Sequence, residues 1–323
     1  MYFYYVNPNC CYWVLPTYND IGIISTIILI LLRIIHGFGA GGELPVNATY
    51  IISQSLKPHQ KTILCSLLNC SAIFGILLAS LTTFILHKWF SKTEIINWAW
   101  RIPFLISIPI FFAIYLIRKY IPKQNIAILH NAFKTNTHPY NVTSILKIIL
   151  FIAFIQVTFY IMFMWLPSYL PTFINITAYY TQYINTISLL VLIFFTILFG
   201  VICSKLKPFF IIKIGIILTI FSTILFFTCV TSNNAFIYLI LFSTSFALVQ
   251  ASFLPILANM CYGNYSETKL ILSFSLGTAL FGSTAPLFCT YFLHKFNLSF
   301  FPSMYISVLG ILSLFIIENK TSH

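Results

Sequence analysis

Arg33, His36 and Glu43 offer the most chemistry in this chain. A guanidinium is a permanent cation whose planar fork of donors suits a carboxylate. An imidazole titrates near neutrality, and a carboxyl holds its proton more tightly once it is taken out of water. All three stand in "RIIHGFGAGGE", residues 33–43, directly after the uncharged run "IGIISTIILILL". Arg33 and His36 are three apart, so they are neighbours on one helix face. His36 and Glu43 are seven apart, about two helical turns, and are expected on that face too. Gly37 and Gly41 form a G-x-x-x-G step flanked by Gly39, Ala40 and Gly42, where another helix could approach closely. The stretch therefore reads as a place that attracts a carboxylate and moves a proton. The simpler alternatives are that Arg33 snorkels to a surface, that Glu43 caps a helix end, and that His36 is a packing residue.

The elements that must position these groups follow from composition. The chain has 323 residues, 59% hydrophobic and 7% charged, against about 25% charged for a soluble domain. Lys147 and Lys205 bracket 57 residues without a formal charge, and Lys213 and Glu267 bracket another 53. A spanning helix needs roughly 20 apolar residues, so each interval holds two spans and a turn. "PSYLPTFINITAYY" and "TSNN" supply the turns. A barrel would show short alternating segments instead. The fold class is thus all-α, a polytopic helix bundle with nine spans near 21–54, 62–87, 100–118, 144–170, 182–203, 209–230, 235–258, 269–293 and 297–317. An ionisable residue inside such a span is a functional-site hypothesis by default.

The formal charge of +12 does not mark a nucleic-acid binder, because the cations are sorted by side. With alternate loops on one side, 12 of the 17 Lys and Arg gather there, and Lys88, Lys92, Arg101 and Lys295 fall on the other. Arg33 lies within a span. This is the positive-inside pattern, and it puts loops 55–61, 119–143, 204–208 and 259–268 in the cytoplasm with the C-terminus. All five tryptophans then lie towards the outer side, as an interfacial belt would. The eight cysteines show no metal-ligand spacing. No paired carboxylates and no nucleophile with its base are present, so the reading is of a non-enzyme with no cofactor, no metal and no catalytic residue. Its expected partners are the lipid bilayer, a small-molecule substrate and protons.

Organisation turns on "RKYIPKQNIAILHNAFKTNTHPYN", residues 118–141, a basic stretch without acids. It separates an incomplete N-terminal bundle, 1–118, from a C-terminal six-helix bundle, 144–323, with the loop itself at 119–143. "LLRIIHGFGAGG" resembles the fourth-helix signature R-x-x-Q-G-x-G-A-A of the major facilitator superfamily, with His36 in place of the usual glutamine. Its continuation into "GGE" is similar to the metabolite:proton symporter branch that includes the proline/betaine transporters. "NWAWRIPFLISIPI" (97–110), "FYIMFMWLPSYLPTF" (159–173) and "SFSLGTALFGSTAPL" (273–287) resemble that branch's sixth, seventh and eleventh helices. "VLPTYNDIG" (14–22) resembles its junction of helices three and four. The resemblance implies a major facilitator fold lacking about three N-terminal helices.

The same resemblance implies that Arg33 faces a central cavity and helps couple proton and substrate movement, with His36 and Glu43 beside it. The loop "SKLKPFF" (204–210) keeps basic residues where the family has S-D-R-x-G-R-R-P, but lacks its acid, its glycine and its arginines. The fifth-helix segment "LLNCSAIFGILLAS" lacks the Gly-Pro antiporter motif, which favours symport. Tyr160, Asn185, Gln250 and Ser273 are further candidates for the cavity lining, with interhelical hydrogen bonding as the plainer alternative. Phe159, Tyr160 and Trp165 could cage a quaternary ammonium. The implied function is proton-coupled symport of a small metabolite or osmolyte such as proline or glycine betaine, in a bacterial inner membrane. A dicarboxylate or other organic acid is the alternative substrate. A separate alternative is a remnant that does not transport alone, or one completed by a separately encoded N-terminal segment.

Overall fold

The computed structural model describes residues 12, 15–40, 43–53, 57–120, 142–206, 208–261, 266–296 and 298–321, and no strand occurs among them. Ten longer helices carry the fold: α1 Ile23–Ala40, α2 Glu43–Ser53, α3 Pro58–Trp89, α4 Ile102–Tyr120, α5 Val142–Phe173, α6 Ala178–Cys203, α7 Pro208–Cys229, α8 Ala235–Met260, α9 Thr268–Phe296 and α10 Phe301–Thr321. Among the described residues seven helices, α3 and α5 to α10, are long and apolar enough to cross a membrane. At 18 and 19 residues, α1 and α4 reach about 27–28 Å at 1.5 Å per residue.

The span expected over 21–54 is described as two helices, α1 and α2, with residues 41 and 42 outside the described set. Pro45 lies two residues after Glu43, the first described residue of α2.

Two compact units result: residues 1–43 with 81–134, and residues 44–80 with 135–323. The helix α3 contributes to both. In the larger unit, α5 and α8 are the enclosed helices, with 67% of their apolar windows buried against 33–44% for the other five long helices. Phe151, Phe154, Phe163, Phe226, Phe242 and Phe246 fill its core. Its rim is apolar as well: Phe194, Phe210, Leu280, Leu287 and Phe315 are exposed. Such a surface is costly in water and suits a hydrocarbon surround.

Two helices of this unit depart from α geometry. In α5, residues Tyr160–Trp165 form a π-helical segment in which the Leu166 N–H donates to the carbonyl of Ile161, five residues back. In α9, Thr278–Gly282 does the same, with the Ser283 N–H donating to Thr278 O at 2.9 Å. Each precedes a proline, Pro167 or Pro286. A proline cannot donate to the carbonyl four residues earlier, so the ladder is already broken where the wider turn forms. The two helices are stitched together there. Gln156 Nε2 donates to Thr278 Oγ1 at 2.7 Å, and Trp165 Nε1 donates to Thr290 Oγ1 at 2.9 Å. A Cβ on Gly282 would come within 2.9 Å of Gln156 Cβ, so only glycine admits this approach.

Candidate functional site

In the smaller unit, Arg33 and His36 share α1 as their spacing predicts. Arg33 is exposed and His36 half-buried. The Arg33 guanidinium carbon lies 5.5 Å from the ring centroid of Tyr12, within cation–π range. Tyr12 is itself buried against Phe104 at 5.0 Å between ring centroids. Among the described residues no carboxylate forms an ion pair with Arg33. The two-turn interval from His36 to Glu43 runs across residues 41 and 42. Gly41 therefore lies outside the described residues. Among the described residues, a Cβ on Gly37 would meet no atom within 4 Å.

The larger unit holds a set of polar side chains along α3. Thr62, Ser66, Asn69 and Ser80 are all buried, at spacings that keep them on one face of the helix. Ser66 Oγ donates to Ala251 O at 2.9 Å. Ala251 is four residues before Pro255, so the helix cannot supply a donor to its carbonyl. The serine replaces it, as side chains must where no water is available. Asn69 Nδ2 donates to Gln250 Oε1 at 2.8 Å and to Gln250 O at 3.1 Å. Gln250 is thus a buried partner of α3.

Asn185, on α6, does for α5 what Ser66 does for α8. Its Nδ2 donates to Ser80 Oγ at 3.2 Å and to Phe163 O at 3.4 Å, and Phe163 is four residues before Pro167. Ser80 Oγ and Thr186 Oγ1 are 2.9 Å apart, and Thr186 Oγ1 donates to Gln182 O at 2.8 Å. The Asn185 Oδ1 atom is buried without a hydrogen-bond partner. Tyr160 is half-buried and opens the π-helical segment of α5. Ser273 is fully buried, and its Oγ also lacks a partner.

Sequence reading thus picked out Asn185 and Gln250 but missed Ser66, Asn69 and Ser80. The signal for Ser66 was indirect: an in-helix proline, Pro255, whose freed carbonyl requires a donor from elsewhere. The aromatic trio is not assembled as a cage by contacts among its own rings. Phe159 packs on Phe163 at 5.2 Å, and Trp165 stacks on Tyr169 at 4.8 Å.

Known proteins share this architecture. Residues 10–268 match the sequence pattern described as the Major Facilitator Superfamily. A protein of Staphylococcus aureus (strain COL) named "Putative proline/betaine transporter" is 28% identical over 319 residues, covering 94% of this chain and 67% of that protein. The "Citrate-proton symporter" of Salmonella typhi is 28% identical over 169 residues, 50% of this chain and 38% of that protein. The crystal structure of a D-xylose-proton symporter superposes on 98% of this chain and 77% of its own, with a TM-score of 0.71 at 15% identity, a likeness of fold. With the pattern matched over most of its length and a multi-pass helical bundle of that fold, this chain belongs to the Major Facilitator Superfamily of membrane transporters.

Proposed function

We propose that the chain is a proton-coupled symporter of a small carboxylate-bearing osmolyte, proline or glycine betaine, in a bacterial inner membrane. The observation that carries this reading is the match over 94% of the chain to a relative named for those substrates. The chemistry of α1 supports it. Arg33 is a fixed cation within an apolar helix, suited to the carboxylate that both compounds carry. His36 and Glu43 are titratable groups that can take and release the accompanying proton. The functional halves are residues 1–118 and 144–323, joined by the basic loop 119–143, and alternating access in this fold moves one half against the other about a central site. Tyr160, Asn185 and Gln250 contribute to the lining in the second half.

A second substrate class has its own support. The similarity to a citrate-proton symporter covers half of the chain, and Arg33 would bind an organic acid equally well. Uptake decides between them. The chain is reconstituted in proteoliposomes with an inward proton gradient and offered labelled proline, glycine betaine or citrate. Accumulation of proline or betaine that an uncoupler abolishes is the expected result. Citrate accumulation alone would transfer the assignment to the organic acids, and accumulation indifferent to the uncoupler would remove proton coupling.

A further inference from the structure

Arg33 is a long cationic side chain on an apolar helix, and left to itself such a chain snorkels towards the nearest water. In the smaller unit it meets an aromatic ring instead. Its guanidinium carbon lies 5.5 Å from the ring centroid of Tyr12. That ring cannot follow the cation, because Tyr12 is 2% exposed and is held from around the start of α4. Phe104 packs on it at 5.0 Å between ring centroids. One helical turn earlier, Arg101 Nη2 donates to Leu15 O at 2.9 Å, and the Leu15 N–H donates back to Tyr12 O at 3.4 Å. Arg101 is anchored in turn. Its Nη1 donates to Asn97 O at 3.0 Å, and its guanidinium carbon lies 4.6 Å from the ring centroid of Trp100. Tyr12 thus belongs to a fixed frame at the start of α4, and Arg33 docks on that frame. Among the described residues the Tyr12 hydroxyl has no hydrogen-bond partner. What Tyr12 offers the cation is therefore the π-system of its ring.

We infer that Tyr12 is a positioning residue for Arg33, its ring fixing where the guanidinium stands beside α1. This rests on the reading of Arg33 as the cation that takes the substrate's carboxylate, and it adds how that cation is kept in place. A neutral ring suits the task better than an acid. Its quadrupole attracts the charge, yet it does not consume the planar fork of N–H donors that a carboxylate uses. An acidic partner would occupy that fork, and each substrate would have to displace it.

The experiment varies the electron density of the ring and not its shape. The purified 323-residue chain is reconstituted in proteoliposomes with Tyr12→Phe as the reference, then with the same ring bearing one, two and three fluorines. Fluorine withdraws density from the ring face and weakens its hold on a cation, with little change in bulk. The rate at which phenylglyoxal modifies Arg33, followed by mass spectrometry of its peptide, is read first and needs no substrate. The reagent attacks the uncharged guanidine, so a weaker hold on the cation gives faster modification. The apparent KM for uptake of labelled proline and glycine betaine is read second. Both should rise stepwise, by about threefold or more from the unfluorinated to the trifluorinated ring. A modification rate that is flat across the series overturns the inference, since a ring that only fills space gives that result. A graded rate with an unchanged KM overturns it too, because the ring would then hold Arg33 without serving the substrate. Uptake of citrate alone would remove the proline/betaine reading and leave this inference to be decided on the citrate KM. A graded rate in a chain that takes up none of the three would remove the proposed function and leave the ring's hold on Arg33 standing.

Discussion

Ser66→Ala tests whether side chains of α3 stand in for helix donors removed by proline. The substitution keeps the Cβ that fills the contact with Gly200 and deletes only the hydroxyl. Ser66 Oγ lies 2.9 Å from both Thr62 O and Ala251 O. Thr62 O loses little, because the Ser66 backbone N–H still reaches it in the regular ladder. Ala251 O loses its donor outright, since residue 255 is proline. A stranded buried carbonyl costs about 1–3 kcal/mol, while interhelical hydrogen bonds in membranes average about 0.6 and reach about 1.7 kcal/mol. Because no alternative donor exists here, the cost of Ser66→Ala should fall at the upper end of the membrane range, about 1–2 kcal/mol. In a Pro255→Ala background the restored N–H at 255 can bond Ala251 O, and the same substitution should then cost under about 0.5 kcal/mol. Reversible unfolding in mixed micelles, followed by helical circular dichroism, measures both legs of the cycle. Equal costs in the two backgrounds would refute the reasoning, whatever their absolute size.

Gly200→Ala places a Cβ 2.7 Å from both Ser66 Cβ and Oγ, and such overpacking should cost about 1–3 kcal/mol in the same unfolding assay, and should cost less when measured in a Ser66→Gly background than in the unaltered protein. Arg33→Lys should reduce coupled uptake in proteoliposomes and Arg33→Ala should abolish it, with membrane insertion unchanged, because lysine keeps the charge but not the planar fork; normal proton-driven accumulation by the alanine variant would exclude a coupling role. Glu94 accepts from Ser91 Oγ at 2.7 Å and from Ser91 N at 2.8 Å, and these bonds hold its carboxyl below the usual range. The cap therefore contributes stability above the unfolded-state pKa and loses it as the pH falls through the lower folded value. Acid titration of the exchange protection of residues 92–97 should show that loss, and Glu94→Gln should flatten it.

How much of this was legible in the sequence depends on the scale of the interaction. The helices of the larger unit follow from long apolar runs, and six of its spans were placed within a few residues of α5 to α10. Arg33 and His36 share a helix because a three-residue spacing decides it locally. The first span was less legible. "GGELP" holds two glycines and a proline, and residues 41 and 42 lie outside the described residues. Partners were less legible again. Gln250 stood out as a polar residue in a span, but Asn69, 181 residues away, could not be matched to it by periodicity. Pro255 and Pro286 mark broken ladders inside spans, whereas Pro167, read from the sequence as part of a turn, lies inside α5, which continues to Phe173. Whether each break ends in a kink, a π-turn or a borrowed donor depends on which neighbouring helix brings a hydroxyl or amide within reach.

The kind of contact made by α3 suits a helix in a transporter. Its buried face could in principle be held by an ion pair, but two charges in a dry interior cost several kcal/mol each unless fully compensated. A separated pair would be stranded at that cost. A purely apolar seam would give no direction, because lipid tails compete with apolar side chains on equal terms. Neutral hydrogen bonds lie between these limits. Ser66, Asn69 and Ser80 each meet a defined partner, so the register of α3 against α6 and α8 is specified. Each bond is worth only about 1 kcal/mol in a membrane. A ligand shifts a two-state equilibrium by no more than its differential affinity for the two states, typically a few kcal/mol. Rearranging one or two such bonds falls within that range, and rearranging a buried ion pair does not. Two of the freed carbonyls, Ala251 and Phe163, each accept from a side chain of a neighbouring helix, Ser66 of α3 and Asn185 of α6.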